Sequence, residues 1–200
     1  MSIFGPSQKE MWTKLSDQLD SQFVKGGIWK ADKVVMHEKA WTLTLDTFAV
    51  HTGKVTIPFT RLRAPFVSKD NFRFEIERRN FFSPIADMFG RKSMSTGNPD
   101  FDKHFVIKGT DEYKLKKLFA HEAIRELIMG QKEVHLEIKD NEGWTGTKFP
   151  SDVDELYFQA SGIIKDVERL KGVFKLFAET LNQLVTISSA YDRNPNVTLK

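Results

Sequence analysis

The sequence predicts an α+β fold in which a mainly antiparallel β-sheet combines with an N-terminal amphipathic helix and a long C-terminal helix. Apolar residues recur at helical spacing near the N-terminus and again over residues 162–190, and they alternate with polar residues through much of residues 31–160. Short turns separate the alternating segments, which favours antiparallel pairing because parallel strands need long crossovers. We expect residues 1–200 to form one domain.

An N-terminal helix is predicted over residues 7–24. Ser7 suits the N-cap position, and Glu10 follows it at the three-residue spacing of a capping box. Gly26 and Gly27 supply the stop. Because its polar face mixes acidic and basic residues, we expect the helix to pack on the protein rather than on a membrane surface. Its apolar stripe consists of Met11, Leu15, Leu19 and Phe23.

Residues 31–77 show the two-residue period of β-strands. A strand at 41–50 leads through a turn at 51–54 into a second strand at 55–63. Pro58 cannot donate to a β-ladder, so we expect the second strand to lie at an edge or to be bulged. The clearest alternation sets inward-facing Phe72, Phe74 and Ile76 against outward-facing Arg73, Glu75, Glu77 and Arg79.

The middle of the chain predicts two helices separated by a loop and a strand. Residues 83–90 form a short helix that Pro84 begins and Gly90 ends. After the loop and the strand, a single helix is predicted over residues 110–129, with Thr110 as its N-cap residue.

Two further strands are predicted at residues 134–138 and 155–160, followed by a long helix over residues 162–190. The apolar stripe of this helix is wide, which favours burial against the sheet; self-association into a homodimer through the same helix is the second interpretation. Gly172 lies inside the helix, where glycine costs about 1 kcal/mol relative to alanine. We expect it to allow a close approach to the sheet.

The composition excludes several classes of protein. The 200 residues include no cysteine, which excludes disulfides, thiolate metal sites and a cysteine nucleophile, and which fits a reducing cytoplasm. Neither a signal-peptide pattern nor an apolar segment of about 18 residues is visible, so we expect a cytoplasmic protein without a transmembrane segment. A net charge of +3 is too weak for the basic surface of a nucleic-acid-binding protein.

The motifs that usually carry chemistry are missing from the sequence. His121 and Glu122 begin like a helical zinc motif, but Arg125 occupies the position of the second histidine. Gly53-Lys54 is followed by valine where a phosphate-binding loop needs serine or threonine. We therefore predict no catalytic residues, no metal site and no cofactor.

A basic excess in the middle of the chain gives a ligand-binding hypothesis. Residues 54–109 hold 11 Lys and Arg against 6 Asp and Glu. If neighbouring strand ends gather the arginines at one rim, their guanidinium groups suit a phosphate or carboxylate ligand. The alternative is a solvated rim that pairs locally with Glu75 and Glu77. The four candidate residues are Arg61, Arg63, Arg78 and Arg79.

The run NPDFDKHFVIKGTDEYKLKKLFAHEAIREL resembles a block in an uncharacterised family of bacterial proteins of unknown function. The resemblance covers residues 97–140 and rests on Phe101, Lys103, Phe105 and the acidic start of the following helix. In that block an F-D/E-K-x-F-x-V strand leads into a helix and then into another strand. The resemblance implies a bacterial source and this local order of elements, and it implies no catalytic residue.

The order of elements is compatible with a roll of the pleckstrin-homology type capped by a helix, and with a cup in which the sheet grips the helix. Fold analogy of this kind does not fix function. We predict a non-enzymatic cytoplasmic binding or adaptor domain with a protein partner or an anionic ligand. The alternative is a small-molecule carrier or enzyme with a cavity between the sheet and the C-terminal helix. A pocket lined by Trp41, Leu43, Phe72 and Phe74 would favour that alternative.

Overall fold

The structure, a computed structural model, describes residues 5–27, 31–79, 93–142 and 146–199. Within these ranges the chain forms five helices and nine strands. The helices are α1 (Gln8–Gln18), α2 (Pro99–Asp102), α3 (Glu112–Phe119), α4 (Glu122–Met129) and α5 (Val167–Thr186). The strands are β1 (Gln22–Val24), β2 (Lys33–Glu38), β3 (Trp41–Thr52), β4 (Val55–Ser68), β5 (Phe74–Arg78), β6 (Phe105–Gly109), β7 (His135–Lys139), β8 (Val153–Ser161) and β9 (Ala190–Tyr191). The short helix predicted at 83–90 lies outside the described residues.

All described strands belong to one antiparallel sheet, which confirms the predicted α+β class. The strand order is β1-β2-β3-β4-β8-β7-β5-β6, and β9 pairs with the end of β4. The sheet is open, with β1 at one end of this path and β6 at the other. β8 pairs with both β4 and β7 and so joins the two halves of the sheet.

The hydrophobic core lies between one face of the sheet and the helices. The strand register aligns apolar residues in a row across the sheet, and these residues are buried in one cluster with the apolar stripe of α5. Burial of such residues stabilises the fold by roughly 25 cal/mol per Å² of apolar surface. The row consists of Leu45, Leu62, Phe158, Leu136, Ile76 and Ile107.

The C-terminal helix α5 buries its apolar stripe within its own chain. Leu170, Phe174 and Leu181 are each at most 1% exposed, so the stripe is used to fill the core. Homodimer formation through α5 stays a prediction. A side chain at Gly172 would meet Gln131 at 3.6 Å, an ordinary contact; the expected close approach of Gly172 to the sheet was wrong.

The N-terminal helix has the predicted start and an earlier end. The backbone N–H of Ser7 donates to Glu10 Oε2 at 2.7 Å, and that of Glu10 donates to Ser7 Oγ at 3.2 Å, which is the expected capping box. The helix ends with Leu19 as its C-cap, and Asp20 follows with a positive φ of 48°. Phe23 lies in β1, so the predicted extent of the helix to residue 24 was wrong.

The helix predicted over residues 110–129 is two helices, α3 and α4. His121 is extended, with φ −69° and ψ 112°, and breaks the helical path. Arg125 stabilises the break because its Nη1 donates to the carbonyl oxygens of Phe119 and Ala120 at 2.6 and 2.8 Å. These are carbonyls that a helix end leaves without partners.

The N-cap of α3 is Asp111, whose side chain accepts a hydrogen bond from the Lys114 backbone, so the assignment of Thr110 was wrong. Thr110 Oγ1 accepts from the Arg73 backbone N–H at 2.9 Å and donates to the Asn71 carbonyl at 3.1 Å. Thr110 therefore ties the end of β6 to the segment that enters β5.

The strand that contains Pro58 is central in the sheet, so the predicted edge position was wrong. Pro58 is nevertheless tolerated for a local reason. Its carbonyl accepts from the Gly162 backbone at 2.8 Å, so its nitrogen also points toward β8. The pairing of β4 with β8 ends at Phe59 and Ser161, so Pro58 is the first residue of β4 beyond that ladder. No ladder bond from the Pro58 nitrogen is therefore needed.

Candidate functional site

The face of the sheet opposite the helices carries polar side chains, and we call it the polar face. It arises because side chains alternate along each strand and the register aligns polar positions of adjacent strands. Arg61 lies opposite Gln159, Gln159 opposite His135, and His135 opposite Glu77. The polar face comprises Thr44, Asp46, Arg61, Arg63, Glu75, Glu77, His135, Glu137, Lys139, Glu155, Tyr157 and Gln159.

Charged groups on the polar face are buried to an unusual degree. Arg63 is 1% exposed, and its Nη2 donates to Asp46 Oδ2 at 2.5 Å while its Nη1 pairs with Glu142 from the segment after β7. Arg61 Nε donates to the other oxygen of Asp46, also at 2.5 Å. Burial lowers the pKa of the Arg63 guanidinium, and Asp46 partly offsets this. The two arginines thus share one buried carboxylate.

Of the four predicted anion ligands, the structure brings Arg61 and Arg63 together and separates Arg78 from them. Arg78 Nη2 donates to the carbonyl oxygens of Met129 and Gln131 at 2.9 and 2.8 Å, at the end of α4. Arg78 therefore lies on the helix side of the sheet. Anion binding by the four residues stays a prediction, and their positions do not form a common rim.

Arg79 is exposed at the end of β5, where its Nη2 donates to the Asp102 carbonyl at 3.2 Å. Consecutive residues of a strand point to opposite faces, so Arg78 and Arg79 diverge although they are adjacent in sequence. Arg91 and Lys92, which share the basic excess, lie outside the described residues.

Glu155 is the most buried carboxylate on the polar face, with 0% exposure. Within the described residues its two oxygens accept no hydrogen bond, and the nearest cation, Lys139 Nζ, lies 3.5 Å from Oε2. Burial raises the pKa of the Glu155 carboxyl to about 7, against the opposing effects of Lys139 and Arg63. The charged form of Glu155 is therefore unfavourable in the folded protein.

A mixed imidazole and carboxylate cluster occupies the part of the polar face formed by β5 and β7. Donor atoms of Glu75, Glu77 and His135 all lie within 4.8 Å of one another. His135 Nδ1 is 2.6 Å from Glu77 Oε1, and its Nε2 is 3.3 Å from Glu137 Oε1. Burial disfavours the imidazolium, but its bonds to Glu137 and Glu77 raise the pKa of His135 to about 9. These residues are the ones in the described chain that could hold a metal ion.

The surface pockets among the described residues include the following three. One of about 190 Å³ is next to the cluster and is lined by Glu75, Lys108 and Glu137 among others. A second, of about 280 Å³, lies beside Asp70 and Lys114, and a third, of about 450 Å³, lies between α4 and α5.

Among the described residues, side chains pack closely around the positions that were expected to line a cavity between the sheet and the helices. A cavity that holds a ligand would leave accessible surface on the residues that line it, yet the candidate residues are at most 4% exposed. The residues expected to line a carrier pocket were Trp41, Leu43, Phe72 and Phe74.

The hairpin of β3 and β4 projects beyond the strands on either side of it. The pairing of β2 with β3 ends at Leu45, and the pairing of β8 with β4 ends at Phe59. We call residues 48–59 the arm. Val50 lies opposite Ile57, so both face the same side as Val55. These three residues are 37 to 57% exposed, and they form an apolar stripe at the tip.

Neither the cluster nor the apolar side of the arm was predicted from the sequence. The alternation of β5 correctly placed Glu75 and Glu77 away from the core, but it did not show that β5 and β7 are neighbours. The sequence did contain a signal for the arm. Val50, Val55 and Ile57 are apolar at positions where a solvated strand face usually carries polar residues.

Comparison of the chain with family models, with curated proteins and with solved structures finds no match in any of the three. The resemblance of residues 97–140 to an uncharacterised bacterial family stays a prediction. Within the part of the chain that the structure describes, no helix has the length and apolar character that crossing a membrane requires. The roles of residues are therefore argued from geometry.

Proposed function

We propose that this chain is a non-enzymatic binding domain that engages a protein partner through the apolar side of the arm. The exposed stripe of Val50, Val55 and Ile57 carries the proposal. Exposed apolar patches on folded domains mark interaction sites when they are contiguous. We also propose the cytoplasm as its compartment, which the absence of cysteine supports.

The stripe continues from the tip toward the body of the sheet. Phe48 and Phe59 stack with ring centroids 5.2 Å apart, and the guanidinium of Arg61 lies 5.1 Å from the Phe48 centroid. Phenylalanine and arginine are among the residue types that are enriched in protein interfaces. The rings and the Arg61–Asp46 ion pair also fix the base of the arm, so the stripe is presented on an ordered support.

The alternative function, a carrier or enzyme with a cavity between the sheet and α5, receives less support. Its expected lining residues are packed against one another, and the described pockets lie at the surface. An anionic ligand at Arg61 and Arg63 would compete with Asp46, which both arginines already bind.

Site-specific photo-crosslinking in the cells that make the protein tests the proposal. A benzophenone amino acid at position 57 reports on the apolar side of the arm, and the same group at position 49 reports on its other side. Ile57 and Ala49 are both exposed and belong to the same hairpin, so they form a matched pair. We expect a discrete protein adduct from position 57 that is at least tenfold weaker from position 49.

Val50→Asp is the second part of the experiment. It places a charge beside position 57 without touching the core, so it should abolish the adduct and leave the thermal unfolding midpoint within a few degrees. Equal adducts from both positions, or an adduct that Val50→Asp leaves unchanged, would overturn the proposal.

A further inference from the structure

The cluster on β5 and β7 places three carboxylates around one imidazole. Glu75 lies directly opposite Glu137, and Glu77 directly opposite His135, so the four side chains form a square across two strands. Like charges directly opposite each other in an antiparallel pair destabilise it. Cations offset this repulsion, since His135 contacts Glu77 and Glu137 and Lys108 pairs with Glu75.

The carboxylate of Glu77 is poorly satisfied within this square. Glu77 is 6% exposed, and among the described residues its Oε1 accepts a hydrogen bond from His135 Nδ1 while its Oε2 has no such partner. Glu75 uses Oε2 to pair with Lys108 at 3.2 Å, and its Oε1 is likewise without a hydrogen bond among the described residues. Each of these two carboxylates therefore keeps one oxygen that no described residue binds.

We propose that Glu75, Glu77 and His135 bind a divalent transition-metal ion, which displaces a proton from the His135 imidazole because a metal-ligating ring nitrogen carries none. Ligands on one tetrahedral ion with bonds of roughly 2.1 Å lie about 3.4 Å apart. The donor atoms here lie within 4.8 Å of one another, so rotations of the two glutamate side chains close the site. This inference does not depend on the function proposed for the arm.

The donor set selects the class of metal. Imidazole suits zinc and its neighbours, whereas calcium and magnesium prefer oxygen ligands. A site with one imidazole and two carboxylates therefore fits Zn²⁺ or Mn²⁺. Of the three ligands, Glu75 lines the surface pocket of about 190 Å³ and can be reached from solvent.

Isothermal titration of the full chain with Zn²⁺ and with Mn²⁺, after removal of metal with a chelator, tests the proposal. We expect one site per chain for at least one of the two ions. Glu77→Gln and His135→Gln should each weaken that binding at least tenfold, because each removes a ligand. His121→Gln is the matched control, since His121 also lies beside a glutamate, with its Nε2 3.8 Å from Glu179 Oε2, but lacks the other ligands.

A third variant distinguishes the loss of a metal ligand from the loss of folded structure. Glu75→Gln alters the less buried carboxylate, and its circular dichroism should match that of the wild type while its affinity for the ion falls at least tenfold. Thermal unfolding with and without the ion gives a second readout, because a ligand that binds the native state raises its midpoint. Absence of stoichiometric binding, or equal affinity in Glu75→Gln and the wild type, would overturn the proposal.

Discussion

At the scale of single residues, the notable feature is the number of ionisable groups that the polar face removes from water. Arg63 and Asp46 satisfy each other, and removing one partner of such a buried pair typically costs about 3–5 kcal/mol. Glu155 differs because its nearest cation is at a long distance. Its carboxylate is therefore the group on this face whose ionisation should oppose folding most.

Glu155 predicts a specific dependence of stability on pH. Its pKa is about 7 in the folded protein and 4.5 in the unfolded chain, so the folded state retains a proton that the unfolded state releases between these values. The contribution of Glu155 to stability should therefore fall as pH rises from about 4.5 to 7, by about 3 kcal/mol in total. Glu155→Gln, which keeps the shape and cannot ionise, should remove this fall.

Urea denaturation at several pH values between 4.5 and 8 measures the effect as the difference between the wild-type and variant curves. Glu168→Gln is the control, because the Glu168 side chain is exposed, and its curve should run parallel to that of the wild type. If the free energy of unfolding changes with pH equally in Glu155→Gln and in the wild type, ionisation of Glu155 does not oppose folding.

The sequence could not reveal these buried charges. Arg63, Glu155 and Glu77 occupy outward-facing positions of their strands, where polar residues are normally solvated. Their burial depends on pairing between distant segments, such as the contact of Arg63 with Glu142. Local alternation contains no information about such contacts, so it predicted the outward direction of Glu77 and not its environment.

At the scale of elements, two neighbouring residues at the junction between β6 and α3 have different structural roles. Asp111 caps the helix, and Thr110 holds the segment before β5. Both residue types are favoured N-caps, so the sequence did not distinguish them. The break between α3 and α4 was missed for a similar reason, since the apolar spacing continues across His121.

Asp111→Ala should lower the free energy of unfolding by about 1 kcal/mol, because the backbone N–H of Lys114 loses its acceptor at the start of α3. Chemical denaturation measures this change. Asp111→Asn is the matched control and should restore most of the stability, since asparagine caps helices as well as aspartate does. A loss equally large in Asp111→Asn would mean that the charge, rather than the cap, is what stabilises the joint.

At the scale of the whole molecule, the class of fold was predictable and the order of strands was not. Strands can be identified from apolar residues such as Phe72, Phe74 and Ile76, because the two-residue period is visible within each strand's own sequence. The insertion of β8 between β4 and β7 pairs residues that are far apart in sequence, such as Leu62 with Phe158. The candidate metal ligands meet through a second distant pairing, that of β5 with β7, which places Glu77 opposite His135. Local alternation could not group them for the same reason.

We propose that the molecule binds through its surface, because the described residues expected to line an internal pocket are packed in the core. Native mass spectrometry of the protein purified from its own cells is the sharpest test of this proposal. We expect the mass of the 23.1 kDa chain, alone or with a bound metal ion. An organic molecule retained in stoichiometric amount, and released when the chain unfolds, would contradict the proposal.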